Sequence, residues 1–307
     1  MEPFTIVGVG LATWDLLFRL SGPPTFEGST DVLAVAQQGG GPSATGAATA
    51  SRLGGGATFV GAVGDDPYAT MIREDFARFD VHDQLVVDAD AASTVVAVLV
   101  ETVSGERIFL GAGEGATLDA NDVPAEPITS ADCVLVDSHT PAAARQAAAL
   151  AENPTVVADV EAVDDDIRAM LPDVDILIVP EPIAPALGAP TDEPLAGAES
   201  LRELGPSIVI ITQGERGSVV AHPDGQFHQP AFDVDVVDTT GAGDVYHGAF
   251  AAGYCQDWKI DTVTEFATAV AAQNCTALGG RGALSTPRET FSFLAARSDR
   301  WTTSGPV

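Results

Sequence analysis

Residues 238–244, DTTGAGD, combine small residues with a carboxylate at the start of a helical pattern. Gly241, Ala242 and Gly243 are expected to leave consecutive backbone N–H groups uncovered at the positive end of the helix dipole, which suits an anion such as phosphate. Asp244 follows in the first turn, where a carboxylate can accept a proton from a bound hydroxyl. A helix cap is the alternative role for an Asp at this place. The whole string favours a phosphate-binding loop with an adjacent base.

Other catalytic motifs are incomplete. Residues 8–10, GVG, resemble half of a dinucleotide fingerprint, but Thr13 stands where the third glycine belongs. A P-loop and a protein-kinase strand both need a lysine, and the single lysine, Lys259, lies in a polar turn. That position also disfavours Schiff-base chemistry. The three cysteines form no CxxC pair, so neither a zinc site nor a disulfide framework is indicated.

The elements that must position the Asp244 string alternate between strands and helices. Apolar runs predict buried strands at residues 4–13, 57–63, 133–136, 155–158, 176–179 and 208–212, with helices at 43–53 and 141–152 among them. Residues 218–223 and 226–232 predict an antiparallel pair, and helices follow at 242–257 and 261–278. This alternation predicts one α/β domain over residues 1–297, a doubly wound, mainly parallel sheet with helices on both faces.

Two segments interrupt the alternation, at about residues 16–38 and 93–112. The second has the pattern of a hairpin that turns at residues 104–105, Ser-Gly. We expect both segments to form a small β-sheet that projects as a lid over the main domain. Residues 298–307 carry no pattern and are expected to be a fraying tail.

The charge balance restricts the possible partners. The chain has 44 Asp and Glu against 14 Lys and Arg, a formal net charge of -30, so we expect neither nucleic acid nor a membrane surface as a partner. A carboxylate-rich surface with one lysine favours a halophilic cytoplasm, with an acidic mesophilic protein as the alternative. The start of the chain lacks a signal-peptide pattern and no stretch has the length of a membrane span, so the expected location is cytoplasmic.

Two segments carry a resemblance to a known family. Residues 238–251 resemble the second signature of the PfkB family of carbohydrate kinases, and residues 37–66 resemble its first signature. The similarity extends from about Ile6 to Leu294. The segments most similar to the sulfofructose-kinase-like branch are residues 39–54, 228–251 and 275–283. The resemblance implies a ribokinase-like fold and an enzyme that uses ATP and Mg²⁺ to phosphorylate a sugar hydroxyl.

The family match also implies roles for residues of the sugar half of the site. Asp244 would be the catalytic base, and the 241–243 amides would form the anion hole. Asp15 would hydrogen-bond sugar hydroxyls, with a solvated loop residue as the alternative interpretation. Gly40 and Gly41 would let the backbone approach the sugar, where a side chain would collide. Thr45 stands where many family members have Asn, so a changed sugar contact is expected there.

The nucleotide and the ions are assigned in the same way. Thr212, Gly214 and Gly217 resemble the loop that passes along the nucleotide phosphates, and Asn274 would lie beside the adenine. Glu181 is the only acid in the run where the family often carries Asn-x-x-Glu, which makes it the candidate for the Mg²⁺ shell. The candidates for a site that binds K⁺ are Asp238, Thr240 and, in the turn at residues 282–285, Ser285.

The substrate is inferred from what the pocket lacks. The segments expected to line it are residues 28–42, 93–112 and 137–141. Arg107 is their only basic residue, while His139 and Gly111 fall where stronger donors would serve an anionic sugar. Because an unpaired buried anion is very costly, we expect a neutral sugar, a ketohexose such as fructose ahead of ribose. The alternative is an acidic sugar, 2-keto-3-deoxygluconate or sulfofructose, with Arg107 as its partner.

Two further expectations remain open. A sugar-sensing protein that kept the fold without turnover is the alternative of a different class, against which the intact Asp244 string argues. If the chain assembles, the expected assembly is a homodimer formed through the lid.

Overall fold

The computed structural model describes residues 1–102, 107–111 and 115–307. Its helices are α1 (Pro42–Arg52), α2 (Pro67–Arg78), α3 (Ala125–Thr129), α4 (Pro141–Leu150), α5 (Asp165–Met170), α6 (Pro194–Leu201), α7 (Ala242–Tyr254), α8 (Ile260–Asn274) and α9 (Pro287–Ala295). Its strands are β1 (Thr5–Val9), β2 (Thr13–Leu20), β3 (Val32–Gly40), β4 (Gly56–Gly64), β5 (Val81–Asp88), β6 (Thr94–Glu101), β7 (Arg107–Gly111), β8 (Cys133–Asp137), β9 (Thr155–Asp159), β10 (Ile176–Pro180), β11 (Ile208–Thr212), β12 (Ser218–His222), β13 (Gly225–Gln229), β14 (Trp301–Thr302) and β15 (Gly305–Pro306).

Nine strands form the main sheet, in the order β13-β12-β11-β10-β9-β8-β1-β4-β5. All neighbours from β11 to β5 are parallel, and β12 and β13 continue the sheet as an antiparallel pair. Strands β8 and β9 are almost wholly buried, which explains their uninterrupted apolar sequences. The predicted doubly wound sheet is therefore confirmed.

Helices cover both faces of this sheet, each over its own apolar core. One core includes Phe59, Phe76, Phe250 and Phe266, from β4, α2, α7 and α8. The other is built by α4, α5 and α6 against the opposite side chains of the same strands. Local signals set the helix starts, as where the Asp66 carboxylate accepts from Ala69 N at 3.0 Å and caps α2. No helix within the described residues is long and apolar enough to cross a membrane.

The lid is a separate four-stranded sheet in the order β3-β2-β6-β7. Strands β2 and β6 are parallel, while β2–β3 and β6–β7 are antiparallel. Leu17, Val98 and Val100 of its inner face pack with Leu278, which follows α8. The lid was predicted at these positions, and the predicted turn at residues 104–105 lies outside the described residues.

The first predicted strand, residues 4–13, is in fact two elements. Strand β1 ends at Val9, and the chain leaves the main sheet before β2 begins the lid at Thr13. The break occurs where Gly10 passes so close to Asp137 that a Cβ on the glycine would lie 1.8 Å from the carboxylate Oδ2. The Leu11 N–H donates to the same oxygen at 3.1 Å. A contact with a residue far along the chain ends the strand, although the apolar pattern continues.

The prediction of a fraying tail at residues 298–307 is wrong. Strands β14 and β15 form a short hairpin, and Trp301 is only 4% exposed. Its ring lies against Trp258, Phe266 and Phe291, and its Nε1 donates to Glu265 at 2.8 Å. The buried aromatic side chain holds the end of the chain against α8 and α9.

Candidate active site

The candidate site lies at the carboxyl edge of the main sheet. The last residues of five parallel strands at this edge are Val9, Asp137, Asp159, Pro180 and Thr212. The strand order reverses at β1, which lies between β8 and β4, and a crevice at such a reversal is where open α/β sheets bind ligands. The start of α7 and the lid strand β2 bring Asp244 and Asp15 to this place.

The loop before α7 adopts a backbone conformation and a close packing that require glycine. Gly241 caps the helix in the left-handed region, at φ 69°, and a Cβ there would lie 2.5 Å from Gly280 Cα. Around Gly243, a Cβ would meet nothing within 4 Å among the described residues, so the space beside it is open. The Ala242 N–H donates to Thr239 O at 3.2 Å. That amide already has a partner, which corrects the prediction that all three are uncovered.

Asp244 lies in the first turn of α7, surrounded by other ionisable groups. Burial raises the pKa of its carboxyl to about 7, and the negative charges of Glu161, Asp137 and Asp15 raise it too. His139 acts in the opposite direction. A carboxyl that titrates near neutrality is suited to accept a proton in a reaction at physiological pH.

Asp15 lies in β2, within the lid sheet, and not at the end of the first strand of the main sheet. Its Oδ1 accepts from Thr13 Oγ1 at 2.7 Å. Gly40 faces it so closely that a Cβ on the glycine would lie 2.2 Å from Asp15 Oδ2. Burial raises the pKa of Asp15 to about 6, against the lowering effect of its bond to Thr13 and of Arg281. The predicted neighbours Asp15 and Gly40 are thus adjacent in the structure.

A second pair of groups follows the ends of β8 and β9. His139 Nε2 lies 3.2 Å from Glu161 Oε2, and this contact is the main cause that raises the pKa of the imidazole. The Asp137 carboxylate accepts from the backbone N–H groups of Leu11, Ser43 and His139, so it joins three segments of the site. Sequence analysis named neither Asp137, the last residue of β8, nor Glu161, two residues after β9, although an acid at the carboxyl end of a buried parallel strand is a signal that could have found them.

Asp159, at the end of β9, is a buried residue with one carboxylate oxygen that makes no hydrogen bond to the described residues. Asp159 Oδ2 is 3.3 Å from His247 Nδ1, but that nitrogen is only 2.6 Å from Gly243 O, its hydrogen-bond partner. Burial lowers the pKa of His247, which favours the neutral imidazole. Within the described part of the chain Asp159 Oδ2 therefore has no hydrogen-bond partner.

Arg281, a buried residue of the turn after α8, contacts both the lid and α1. Its Nε donates to Thr45 Oγ1 at 3.2 Å, its Nη1 to Asp75 Oδ2 at 2.6 Å and its Nη2 to Gly40 O at 3.3 Å. The hydroxyl of Thr45, for which a sugar contact was predicted, thus binds an arginine in this structure. Gly41, the helix cap before Thr45, has φ 95°, and a Cβ there would lie 2.0 Å from Leu11 O.

The predicted nucleotide loop follows β11. Gly214 and Gly217 both have positive φ, and Gln213 N donates to Gly217 O at 2.8 Å, which closes a tight turn after Thr212. Glu181, at the end of β10, accepts from Gln213 Nε2 at 2.7 Å and forms an ion pair with Arg216. The magnesium candidate is therefore joined to the nucleotide loop.

Asn274 has a different environment from the one expected. Its Nδ2 donates to Gly279 O and Gly280 O at 3.3 and 3.1 Å, and its Oδ1 accepts from Ala283 N at 3.0 Å. Both amide hydrogens are used to brace the turn after α8. The contact with adenine stays a prediction, and the observed role is support of this turn.

The three candidates for a K⁺ site supply oxygen atoms but are held by other bonds. Asp238 Oδ1 accepts from Thr240 Oγ1 at 2.7 Å, and its Oδ2 accepts from Gly279 N at 2.8 Å. Ser285 Oγ lies 2.8 Å from Thr290 Oγ1. Among the residues described, no group of three or more His, Cys, Asp or Glu side chains could hold a metal. An all-carboxylate cage for Mg²⁺ is accordingly absent from this part of the chain.

Comparison with known proteins gives consistent matches over nearly the whole chain. Residues 5–287 match the model of the pfkB family carbohydrate kinases. An ATP-dependent ribose-1-phosphate kinase of Halopiger xanaduensis is 28% identical, over 96% of this chain and 99% of its own length. A fructokinase of Klebsiella pneumoniae is 30% identical, over 78% and 84%. The crystal structure of aminoimidazole riboside kinase from Salmonella enterica, complexed with aminoimidazole riboside and an ATP analog, is similar with a TM-score of 0.76 and 25% identity, over 94% of this chain and 99% of that one.

Proposed function

Because the chain belongs to the pfkB family of carbohydrate kinases, we propose that Asp244 is the base with which it transfers the γ-phosphoryl group of ATP to a sugar hydroxyl. One observation carries the assignment. A partly buried carboxyl whose pKa is raised to about 7 lies in the first turn of α7, directly after the open glycine loop. A cap needs no such pKa, whereas a general base does.

The proposed reaction uses these groups in the following way. The sugar lies between Asp15 and Asp244, and its attacking oxygen, that of a primary hydroxyl, forms a bond to the γ-phosphorus while the bond from that phosphorus to the bridging oxygen of ADP breaks. The hydroxyl proton goes to the Asp244 carboxylate. The amides of Gly241 and Gly243 and the N-terminus of α7 stabilise the charge on the transferred group. The lid excludes water, which would otherwise compete with the sugar.

Mg²⁺ accompanies ATP and supplies positive charge to the phosphates. The buried Asp159 Oδ2, which lacks a hydrogen-bond partner within the described residues, fits an ion that keeps several waters and needs few protein ligands. Glu181 is the second candidate, since its carboxylate lies at the nucleotide loop. The oxygen atoms of Asp238, Thr240 and Ser285 would hold K⁺.

The sugar that this pocket favours is neutral, a ketohexose such as fructose ahead of ribose. The negative charges of Glu161, Asp137 and Asp15 already raise the pKa of Asp244, and the same charges would repel an anionic substrate. Each nitrogen of Arg281 already donates to Asp75, Thr45 or Gly40, so this arginine is poorly placed to pair directly with an anionic ligand.

An anionic sugar is the second candidate. Arg107 of the lid reaches Thr239 beside the glycine loop, so one cation does approach the site from the lid side. The 28% identical relative is named a ribose-1-phosphate kinase, which adds a sugar phosphate to 2-keto-3-deoxygluconate and sulfofructose as anionic substrates to test. The sulfofructose-kinase-like branch stays a prediction.

The lid also supports the proposed homodimer. Its edge strands expose apolar side chains: Val32, Leu33 and Val35 on β3, and Ile108, Phe109 and Leu110 on β7. A second copy of the lid would cover them. Sedimentation of the wild type and of a Val35→Glu variant would test this, because a monomeric wild type contradicts the assembly.

The test of the function is a coupled assay of ADP release in high KCl over a panel of sugars. We expect sugar-dependent ADP formation by the wild type and its loss in Asp244→Asn. Binding of a sugar with no ADP formation from any sugar of the panel would instead support the sugar-sensing protein.

A further inference from the structure

Arg281 and Asp75 form an ion pair in the interior, between the lid and the main domain. Their side chains are 1% and 5% exposed, and the guanidinium lies 5.4 Å from the centre of the Phe76 ring. Removing two charges from water offsets most of their attraction, so such a pair adds little net stability compared with apolar side chains. Its distinctive property is a fixed geometry, because the planar guanidinium donates in several set directions at once.

Two of the hydrogen bonds that Arg281 donates go to residues of the proposed sugar-binding half of the site. Nη2 donates to Gly40 O, and Gly40 is the residue that packs directly against the Asp15 carboxylate. Nε donates to Thr45 in α1. The positive charge also acts on Asp15, whose pKa it lowers against the effect of burial. Arg281 therefore contacts the backbone that shapes the sugar pocket without reaching into the pocket itself.

The backbone next to Arg281 contacts the loop before α7, which forms the proposed phosphate-binding half of the site. A Cβ on Gly241 would lie 2.5 Å from Gly280 Cα, so the turn after α8 is in close contact with the glycine loop. Asp238, at the other end of that loop, accepts from Gly279 N at 2.8 Å. With its carboxamide in the orientation that its surroundings require, Gln38 of β3 accepts from Gly280 N at 2.7 Å and from Arg281 N at 3.0 Å. The same turn thus contacts β3 and the glycine loop.

We propose that Arg281, held by Asp75, is a positioning residue that fixes the sugar-facing end of β3 relative to the glycine loop before α7. The inference rests on the proposed function, since its purpose is to align a sugar hydroxyl beside Asp15 with the base Asp244. Arg281 touches neither reacting group. Its loss lets the two halves of the site move relative to each other, so that water competes with the misaligned hydroxyl for the phosphoryl group.

The test uses two variants that avoid an unpaired buried charge. Asp75→Asn with Arg281→Gln removes both charges, and Arg281→Lys keeps the charge but cannot make the three directed bonds. We expect kcat/KM for the sugar to fall by about tenfold or more in the double variant, with a smaller fall for lysine. The ratio of ADP formed to sugar phosphate formed should rise above one in both. A role in folding alone would not change that ratio.

Arg52→Gln is the matched control. Arg52 in α1 donates from Nε to Leu284 O at 3.3 Å, so it joins the same region of the chain but has no described contact with β3. Its kinetics and its coupling ratio should equal those of the wild type. The inference is overturned if the folded double variant, or Arg281→Lys where the double variant does not fold, keeps wild-type kcat/KM and coupling, or if Arg52→Gln loses them equally.

Hydrogen exchange separates this inference from the proposed function. In the protein without ligands, the amides of residues 38–41 and 239–243 should both exchange faster in the Arg281 variants and remain unchanged in Arg52→Gln. If the wild type phosphorylates no sugar, the proposed function fails while this measurement still tests the link. If only one segment responds, Arg281 does not join the two, and the inference is wrong.

Discussion

Arg107 of the lid donates a hydrogen bond to Thr239 in the loop before α7, with 2.5 Å between Nη1 and Oγ1. The guanidinium also lies 5.7 Å from the centre of the Phe109 ring, so the lid strand orients it. The contact joins the lid to the loop that we assign to the phosphoryl group. Under the proposed function, we therefore expect Arg107 to couple closure of the lid to the shape of the loop that would form the anion hole.

The first prediction removes the acceptor of this bond. Thr239→Val keeps the shape of the side chain, and we expect the sugar KM to rise by about threefold to tenfold, as for one lost hydrogen bond. Hydrolysis of ATP without sugar should increase because the lid excludes water less well. Steady-state kinetics with both readouts tests this. Thr129→Val, an exposed threonine on α3, is the control and should behave as the wild type.

The second prediction concerns Asp244. Asp244→Asn keeps the size of the side chain but removes the base, so kcat should fall by about 10²-fold or more while the circular dichroism spectrum stays unchanged. Asp261→Asn is the matched control, because Asp261 is also in the first turn of a helix but lies at the surface beside Arg300. Comparable turnover in Asp244→Asn and the wild type would refute the base assignment.

The third prediction is a pH dependence. A base must be ionised, and burial raises the pKa of Asp244 to about 7, so kcat/KM should rise with pH through that value and level off above it. Burial raises the pKa of Asp15 to about 6, so its ionisation should contribute to the increase in kcat/KM at lower pH than that of Asp244. In Glu161→Gln the midpoint should move to lower pH, since the variant lacks a negative neighbour that raises the pKa of Asp244. A profile that is flat between about pH 5 and pH 8 would exclude Asp244 as the base.

The fourth prediction concerns salt. With a net charge of -30, like charges on the folded chain repel one another in dilute buffer. At 1 M salt the screening length falls to about 3 Å, so ions suppress most of this repulsion. The thermal midpoint should therefore rise as KCl increases from low to molar concentration, which differential scanning calorimetry measures. A midpoint that stays flat or falls removes the halophilic interpretation and leaves an acidic mesophilic protein.

Most of the fold was predictable because its elements have periodic or continuous apolar sequences. The strand predicted at residues 57–63, for example, is β4, Gly56–Gly64. The failures arise from long-range contacts. The break after Val9 comes from the close approach of Gly10 to Asp137, and the order of the tail comes from the burial of Trp301. Strands of two residues are too short to produce a pattern.

The site divides in the same manner. The string that ends in Asp244 is local and has a recognisable pattern, so its glycines and its acid could be proposed in advance. The pair of Asp75 and Arg281 joins residues 206 positions apart, and no local spacing indicates it. The sequence also could not show whether the Ala242 amide is free to bind an anion. In the structure this amide donates to the Thr239 carbonyl of the same turn.

The last prediction is the choice of substrate, and Arg107 decides it. If the sugar is neutral, Arg107 serves only to hold the lid on Thr239, and Arg107→Met should lower kcat/KM by a similar factor for fructose and for any anionic sugar. If the sugar is anionic, the arginine pairs with it, and the loss should be selective. Arg297→Met is the matched control, because Arg297 lies over the Phe293 ring at 3.8 Å in a surface position. We expect kcat/KM for fructose to exceed the values for ribose, 2-keto-3-deoxygluconate, sulfofructose and ribose 1-phosphate. A preference of tenfold or more, about 1.4 kcal/mol, for any of the three anionic sugars would show that the pocket recognises an anion.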